Sequence, residues 1–244
     1  MTYQPFEIIG ANRSARWVVT CDHASNTVPP ELGGTLGLSD ADMQRHIAYD
    51  VGAAGVTRIL AEHLDAPAIL SNFSRLVIDP NRGEDDPTLL MKLYDGTIIP
   101  GNRDVTIADV EARLNAYYRP YHNALADLML RPEPILLAIH SFTPKLNGRP
   151  KRPWEIGILH ADENPLAQTL MDALRAEGDM TVGDNEPYGG HLPGDAVDRH
   201  ALQHGHPNIL IELRHDLIRD VEGQQAWAYR LAPILRTVLA ETGL

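Results

Sequence analysis

Three stretches of this chain run from an apolar strand pattern directly into a histidine. In the first, Trp17-Val18-Val19-Thr20-Cys21 gives way to Asp22-His23-Ala24-Ser25-Asn26 and then to Pro29-Pro30. In the second, Ile135 to Ile139 ends in His140-Ser141, and in the third, Ile156 to Leu159 ends in His160-Ala161-Asp162. Short apolar, β-branched runs bounded by polar turn residues predict buried strands. Ligands of open α/β sheets collect outside the carboxyl ends of the strands, so a histidine just past such an end is placed for chemistry.

The intervening pattern alternates with these strands. Ser39 or Asp40 can cap a first helix, and Val51, Ala54, Ile59 and Leu60 mark a second helical stretch over 50–64, stopped by Asp65-Ala66-Pro67. Gly52 and Gly55 each weaken helicity there by ~1 kcal/mol relative to alanine, which predicts close packing or a break. Strands are expected at 68–71 and 76–78, with Asp79-Pro80-Asn81-Arg82-Gly83 ending the second. The segment 84–104, rich in Pro, Gly and Asp, reads as a long excursion or lid over the sheet edge. A long amphipathic helix follows over 107–130, and Pro120 should kink it. After a basic connection at 144–153 come a helix near 165–177, a short strand at 181–183 and a glycine-rich loop at 184–191. A short helix at 195–203, a strand at 208–213 and a helix at 224–242 complete the pattern. Strands alternating with helices predict a three-layer α/β/α architecture on a predominantly parallel mixed sheet. No repeat or linker interrupts it, so residues 1–244 are expected to form a single domain.

Composition narrows the classes of function. A hydrophobic share of 43% and a charged share of 22% are globular norms. The net charge of −12 opposes a nucleic-acid partner. Cys21 is the only cysteine, which rules out an intrachain disulfide. Residues 1–16 lack the pattern of a signal peptide, and no apolar run reaches the ~20 residues needed to span a bilayer, so a cytoplasmic protein without a membrane partner is expected.

Gly-x-Ser-x-Gly, Gly-x-Gly-x-x-Gly, phosphate-loop and His-Glu-x-x-His motifs are all absent from the sequence. What remains is a set of His, Asp and Glu residues at strand ends. Catalytic zinc takes three protein ligands and keeps a position open. His23 and His140 are the first two candidates, and Asp50 the third, although an aspartate before a helical run also reads as an N-cap. His160 competes for a ligand position, but Ala161-Asp162-Glu163-Asn164 beside it reads equally as the cap of the next helix. Strand alternation puts Leu210, Glu212 and Arg214 on one face. A carboxylate in so apolar a strand is costly unless paired, so Glu212 is either the partner of Arg214 or a general base. Arg75, Asn81, Arg82 and Arg214 can recognise carboxylates or an oxyanion, and Ser25, Tyr188 and His191 are candidates for the pocket wall. Cys21 would permit a thiol hydrolase, although a small thiol inside a strand is commonly just buried.

Taken in order, these stretches resemble the N-formylglutamate amidohydrolase family from Thr20 to about Asp216. The resemblance rests on Asp22-His23-Ala24-Ser25, where family members carry Pro-His-Ser-Gly, and on Tyr49-Asp50-Val51-Gly52-Ala53. Phe73 to Arg82, Ala138-Ile139-His140-Ser141 and Ile211-Glu212 complete it. It implies a fold similar to the zinc exopeptidases and deacylases, and hydrolysis of N-formyl-L-glutamate to formate and glutamate in histidine breakdown. The His23 loop, the 184–190 loop and the setting of Glu212 depart from the deformylase pattern and are similar to a branch described only as predicted amidohydrolases. The expectation is therefore a hydrolase of a small N-acyl amino acid. His23, Asp50 and His140 would hold zinc (Zn2+) or another divalent metal, with Glu212 as the base. A catalytically inactive binding or regulatory protein that keeps the fold is the alternative.

Overall fold

The computed structural model describes residues 3–244. β1 (Phe6–Ile9) and β2 (Trp17–Cys21) precede the short helix α1 (Asp40–Met43), α2 (Ala53–His63) and β3 (Ala68–Ser71). A hairpin of β4 (Leu93–Tyr94) and β5 (Thr97–Ile98) lies inside the 84–104 excursion, followed by α3 (Ile107–Arg113) and α4 (Arg119–Leu128). Then come β6 (Ile135–Phe142), β7 (Ile156–Leu159), α5 (Pro165–Ala176) and β8 (Val182–Asp184). The chain ends with α6 (Ala196–His200), β9 (Asn208–Arg214) and α7 (Val221–Thr242).

Seven strands pair in the order β1-β3-β2-β6-β9-β7-β8. The centre, β3-β2-β6-β9, is parallel; β1 is antiparallel to β3, and β7 is antiparallel to β9 while β8 follows β7. This is the mainly parallel mixed sheet that the alternation predicted. Every residue of β2, β6 and β9 is buried, which is why these strands read as nearly continuous apolar runs. Val19, Leu137 and Ile211 pack with Val56, Leu60, Leu170 and Leu231 of α2, α5 and α7 on one face. Val18, Leu136 and Ala138 pack with Tyr118, Tyr121 and Leu125 on the other. Among the described residues, no helix is long and apolar enough to cross a membrane.

Four local features differ from the sequence pattern. Segment 76–78 forms a turn, because side chains satisfy its backbone. Leu76 N–H donates to Ser74 Oγ, Leu76 O accepts from Asn102 Nδ2, and Val77 O accepts from Arg113 Nη1. Its three apolar side chains still fill the second core. Helix α2 begins at Ala53, with Gly52 in the left-handed region at φ 83° as its N-cap. A Cβ on Gly52 would collide with the carbonyl of Ile218, so only glycine fits there. Between α3 and α4, a π turn over Leu114–Tyr118 widens the helical run just before Pro120, which lies at the start of α4. β1, a half-exposed antiparallel edge strand, adds a seventh strand that its short Phe-Glu-Ile-Ile pattern does not announce.

Candidate active site

The parallel strands β2 and β6 deliver His23 and His140 to the same edge of the sheet. His140 lies opposite Glu212 in the β6–β9 ladder. Asp50 reaches them from the turn before α2, where its N–H donates to His23 O at 2.9 Å. Because Gly52 takes the cap position, the Asp50 carboxylate is free to point inward. Asp50 Oδ2 lies 3.4 Å from His23 Nδ1 and 2.9 Å from His140 Nδ1, and accepts the Ser141 N–H at 3.2 Å. One donor atom from each of His23, Asp50 and His140 falls within 4.8 Å of the others, and all three residues are buried.

A second ring of carboxylates fixes the histidines. His23 Nε2 is 2.6 Å from Asp79 Oδ1, and His140 Nε2 is 3.2 Å from Asp22 Oδ2. Arg75 donates to Asp79 Oδ2 at 2.7 and 3.1 Å, and Tyr121 Oη–H donates to Asp22 Oδ1. With Nε2 held by a carboxylate, each ring turns Nδ1 toward Asp50, the arrangement that orients metal-binding histidines. Burial alone would raise the Asp50 pKa, but His23 and His140 hold it far below the carboxylate range. Burial likewise opposes charge on His140, yet its hydrogen bonds to Asp22 and Asp50 push its pKa well above the usual value. The three groups are thus organised around a positive charge, which a proton or a divalent ion can supply. Two imidazoles with one carboxylate are a donor set that suits zinc.

Beside this cluster opens a cleft of about 390 Å³. Glu212 lines it, and its Oε2 has no hydrogen-bond partner among the described residues. Burial pushes the Glu212 pKa up to about 7, with His140 lowering it and Asp50 raising it. Arg75, Asn81, Arg82, Tyr188 and His191 also line the cleft. Tyr188 arrives on the 184–194 loop, which can seat on β7 only because a Cβ at Gly157 is absent; one there would collide with Glu186 O.

Other expected site residues lie elsewhere. Arg214 neither pairs with Glu212 nor lines the cleft: its guanidinium donates to Glu155 at 3.0 Å, Asp216 at 2.8 Å and Trp154 O at 3.1 Å. Ser25 hydrogen-bonds Thr27 at 2.9 Å outside the cleft. His160 pairs with Asp184 at 3.0 Å, apart from the histidine–aspartate cluster, because β7 runs antiparallel and carries its end the other way. Cys21 is fully buried in the core on the far face of the sheet, where burial pushes its thiol pKa well up, so it offers the cleft no thiolate. Asp22, Asp195, and His46 and Tyr94 of the cleft wall had no assigned role in the sequence pattern. Only Asp22, adjacent to His23, carried a usable signal.

Behind the site, His122 Nδ1 lies 2.8 Å from His200 Nε2 with the rings stacked. Burial pushes His122 down to about 3 and His200 down to about 4. Both rings fold neutral, whereas the unfolded chain protonates them near pH 6.5. Their contribution is therefore complete above about pH 6.5 and is lost as pH falls toward 4, by about 1.4 kcal/mol per ring and pH unit. Thermal melts are expected to fall steeply between pH 6.5 and 5, and the double variant His122→Gln/His200→Gln should flatten that slope. Equal slopes in the two proteins would refute this account.

A family model described as N-formylglutamate amidohydrolase matches residues 15–219. Among solved structures, gene product Atu2144 from Agrobacterium tumefaciens is 36% identical with a TM-score of 0.91, over 99% of this chain and 97% of that one. N-formylglutamate amidohydrolase from Ralstonia eutropha JMP134 is 21% identical with a TM-score of 0.77, over 99% and 100% of the two chains. A bacteriophage poly-gamma-glutamate hydrolase is 11% identical with a TM-score of 0.50, over 99% and 91%. At these identities the last two show a shared fold. No curated protein matches.

Proposed function

Because the chain belongs to the N-formylglutamate amidohydrolase family, whose members hydrolyse amide bonds, we propose that its cleft performs metal-dependent hydrolysis of a small N-acyl amino acid. N-formyl-L-glutamate, giving formate and L-glutamate as in histidine breakdown, is the reference substrate. The observation that carries this reading is Glu212: a buried carboxyl group with a free oxygen, facing the same cleft as His23, Asp50 and His140.

His23, Asp50 and His140 would hold the metal, with zinc the best match to two imidazoles and a carboxylate. A divalent ion there supplies Lewis acidity, polarising an acyl carbonyl and bringing the pKa of water toward about 7. Asp79 and Asp22 keep the two imidazoles oriented, and Arg75 anchors Asp79. Glu212 accepts a proton from water in the cleft as the water oxygen bonds to the acyl carbon. As the C–N bond breaks, Glu212 returns that proton to the departing nitrogen, so acid and amine leave in balance.

Elemental analysis of the purified chain is expected to give about one divalent metal per chain, since the three donors form one site. Chelation should remove it and stop formate release from N-formyl amino acids, and added zinc should restore both. Failure to bind any divalent ion would reject the proposal, as would hydrolysis that survives complete removal of the metal.

A further inference from the structure

The charges that line the cleft differ in whether a protein partner already holds them. Arg75 donates two hydrogen bonds to Asp79 and lies 3.6 Å from Asp50. His191 lies 3.2 Å from Asp198, and burial pushes His46 down to about 4, so its ring is neutral. Arg152, behind the wall, stacks over Tyr188 and Phe142 and donates to Thr143 O and to the Tyr188 hydroxyl. Arg152 therefore has no carboxylate partner among the described residues but does not line the cleft, whereas Arg82 lacks one and does line it. Among the described residues its guanidinium donates only to Thr88 Oγ1 and Asn81 O, with no carboxylate in ion-pair range. On the same turn, Asn81 uses Oδ1 to accept the Ala196 N–H at 3.3 Å, which leaves its Nδ2 amide for a ligand.

Two acids in the cleft lack a cation. One is Glu212; the other is Asp195, whose Oδ1 accepts the Asp198 N–H at 2.7 Å to cap α6. Asp195 is buried and makes no salt bridge among the described residues, and burial pushes its pKa up to about 6. Leu159, Leu210 and Phe142 supply apolar lining to the same cleft.

Resting on the amide-hydrolysis reading above, we infer that the cleft selects an N-acyl amino acid with one carboxylate, held by Arg82 and the Asn81 amide, and an uncharged side chain. Asp195 is the residue that disfavours a second carboxylate. A dicarboxylate such as N-formyl-L-glutamate satisfies Arg82 with one group, but its other group meets a lining that, among the described residues, offers no second unpaired cation and holds the like-charged Asp195. Desolvation without a partner and like-charge juxtaposition both select against it.

The test compares N-formyl-L-glutamate with its neutral near-isostere N-formyl-L-glutamine and with N-formyl-L-methionine on the zinc-loaded protein. The neutral compounds are expected to exceed glutamate in kcat/KM by about tenfold or more, the scale of a like-charge penalty. Asp195→Asn keeps the cap on α6, because the amide oxygen still accepts the Asp198 N–H, and should narrow that gap at least about fivefold. Arg82→Gln should raise KM for all three compounds by about 30-fold or more with kcat little changed. A tenfold preference for glutamate would overturn the inference, as would a gap that Asp195→Asn leaves intact or a KM indifferent to Arg82→Gln. If none of the compounds is hydrolysed, the amide-hydrolysis reading fails on its own. Calorimetric titration of the same compounds then still decides: tighter binding of the neutral pair supports the selectivity, and equal or tighter binding of glutamate refutes it.

Discussion

Glu212→Gln is expected to lower kcat by about 10³-fold or more while the protein keeps its metal, since a positioned proton-transfer group commonly contributes 10²–10⁴. Glutamine preserves the shape of the side chain and its place on β9 opposite His140, but it cannot take a proton from water. Glu212 is also outside the group of donors that converge on Asp50, so its loss should not weaken metal binding. The native carboxyl group has an oxygen with no partner and a pKa pushed up to about 7 by burial, so it is a stability cost in the resting protein. The melting temperature of Glu212→Gln should therefore equal or exceed that of the parent, as expected when a strained functional group is neutralised. The three readouts are steady-state turnover, metal per chain and thermal melting. Undiminished turnover would remove Glu212 from the chemistry, and loss of metal would recast it as a ligand.

Much of this site could be read from the chain because its main parts depend on local pattern. His23 follows β2 and His140 lies near the end of β6, each after an apolar run that is unambiguous in the sequence, and the parallel pairing of the two strands carries them to one edge. Asp50 could be singled out although aspartates before helices usually cap them; the left-handed Gly52 explains why this one does not. Strand direction was not legible. His160 has the same local signature as His140, yet β7 is antiparallel to β9 and His160 ends beside Asp184. Alternation put Arg214 on the face of Glu212, but its guanidinium is held by Asp216, two residues on, and by Glu155, 59 residues away in sequence. Backbone satisfaction is equally hidden: 76–78 has the composition of a strand, and Asn102 and Arg113 from distant segments make it a buried turn. Asp79 acquires its role only when the fold brings His23 to it.

Asp50→Asn separates a metal centre from a buried ion-pair network, because the two predict different losses. The substituted amide could still accept the Ser141 N–H, but it is a neutral, weak zinc donor and no longer balances His23, His140 and Arg75. If the cluster is built for a metal, occupancy and turnover should both collapse. Removing one partner from a buried charged group leaves the others uncompensated, so the metal-free chain should also lose about 3–5 kcal/mol of stability. In that chain His140 would give up its proton more readily, since one of the two carboxylates that favour its charge is gone. Zinc should therefore raise the melting temperature of the parent and leave that of Asp50→Asn unmoved, because only a native state that binds the ion is stabilised by it. A variant that loses stability but retains metal and turnover would make Asp50 a structural counter-ion. Loss of metal and turnover together, with the fold intact at low temperature, would place Asp50 among the ligands and tie the chemistry of the cleft to the ion it helps to hold.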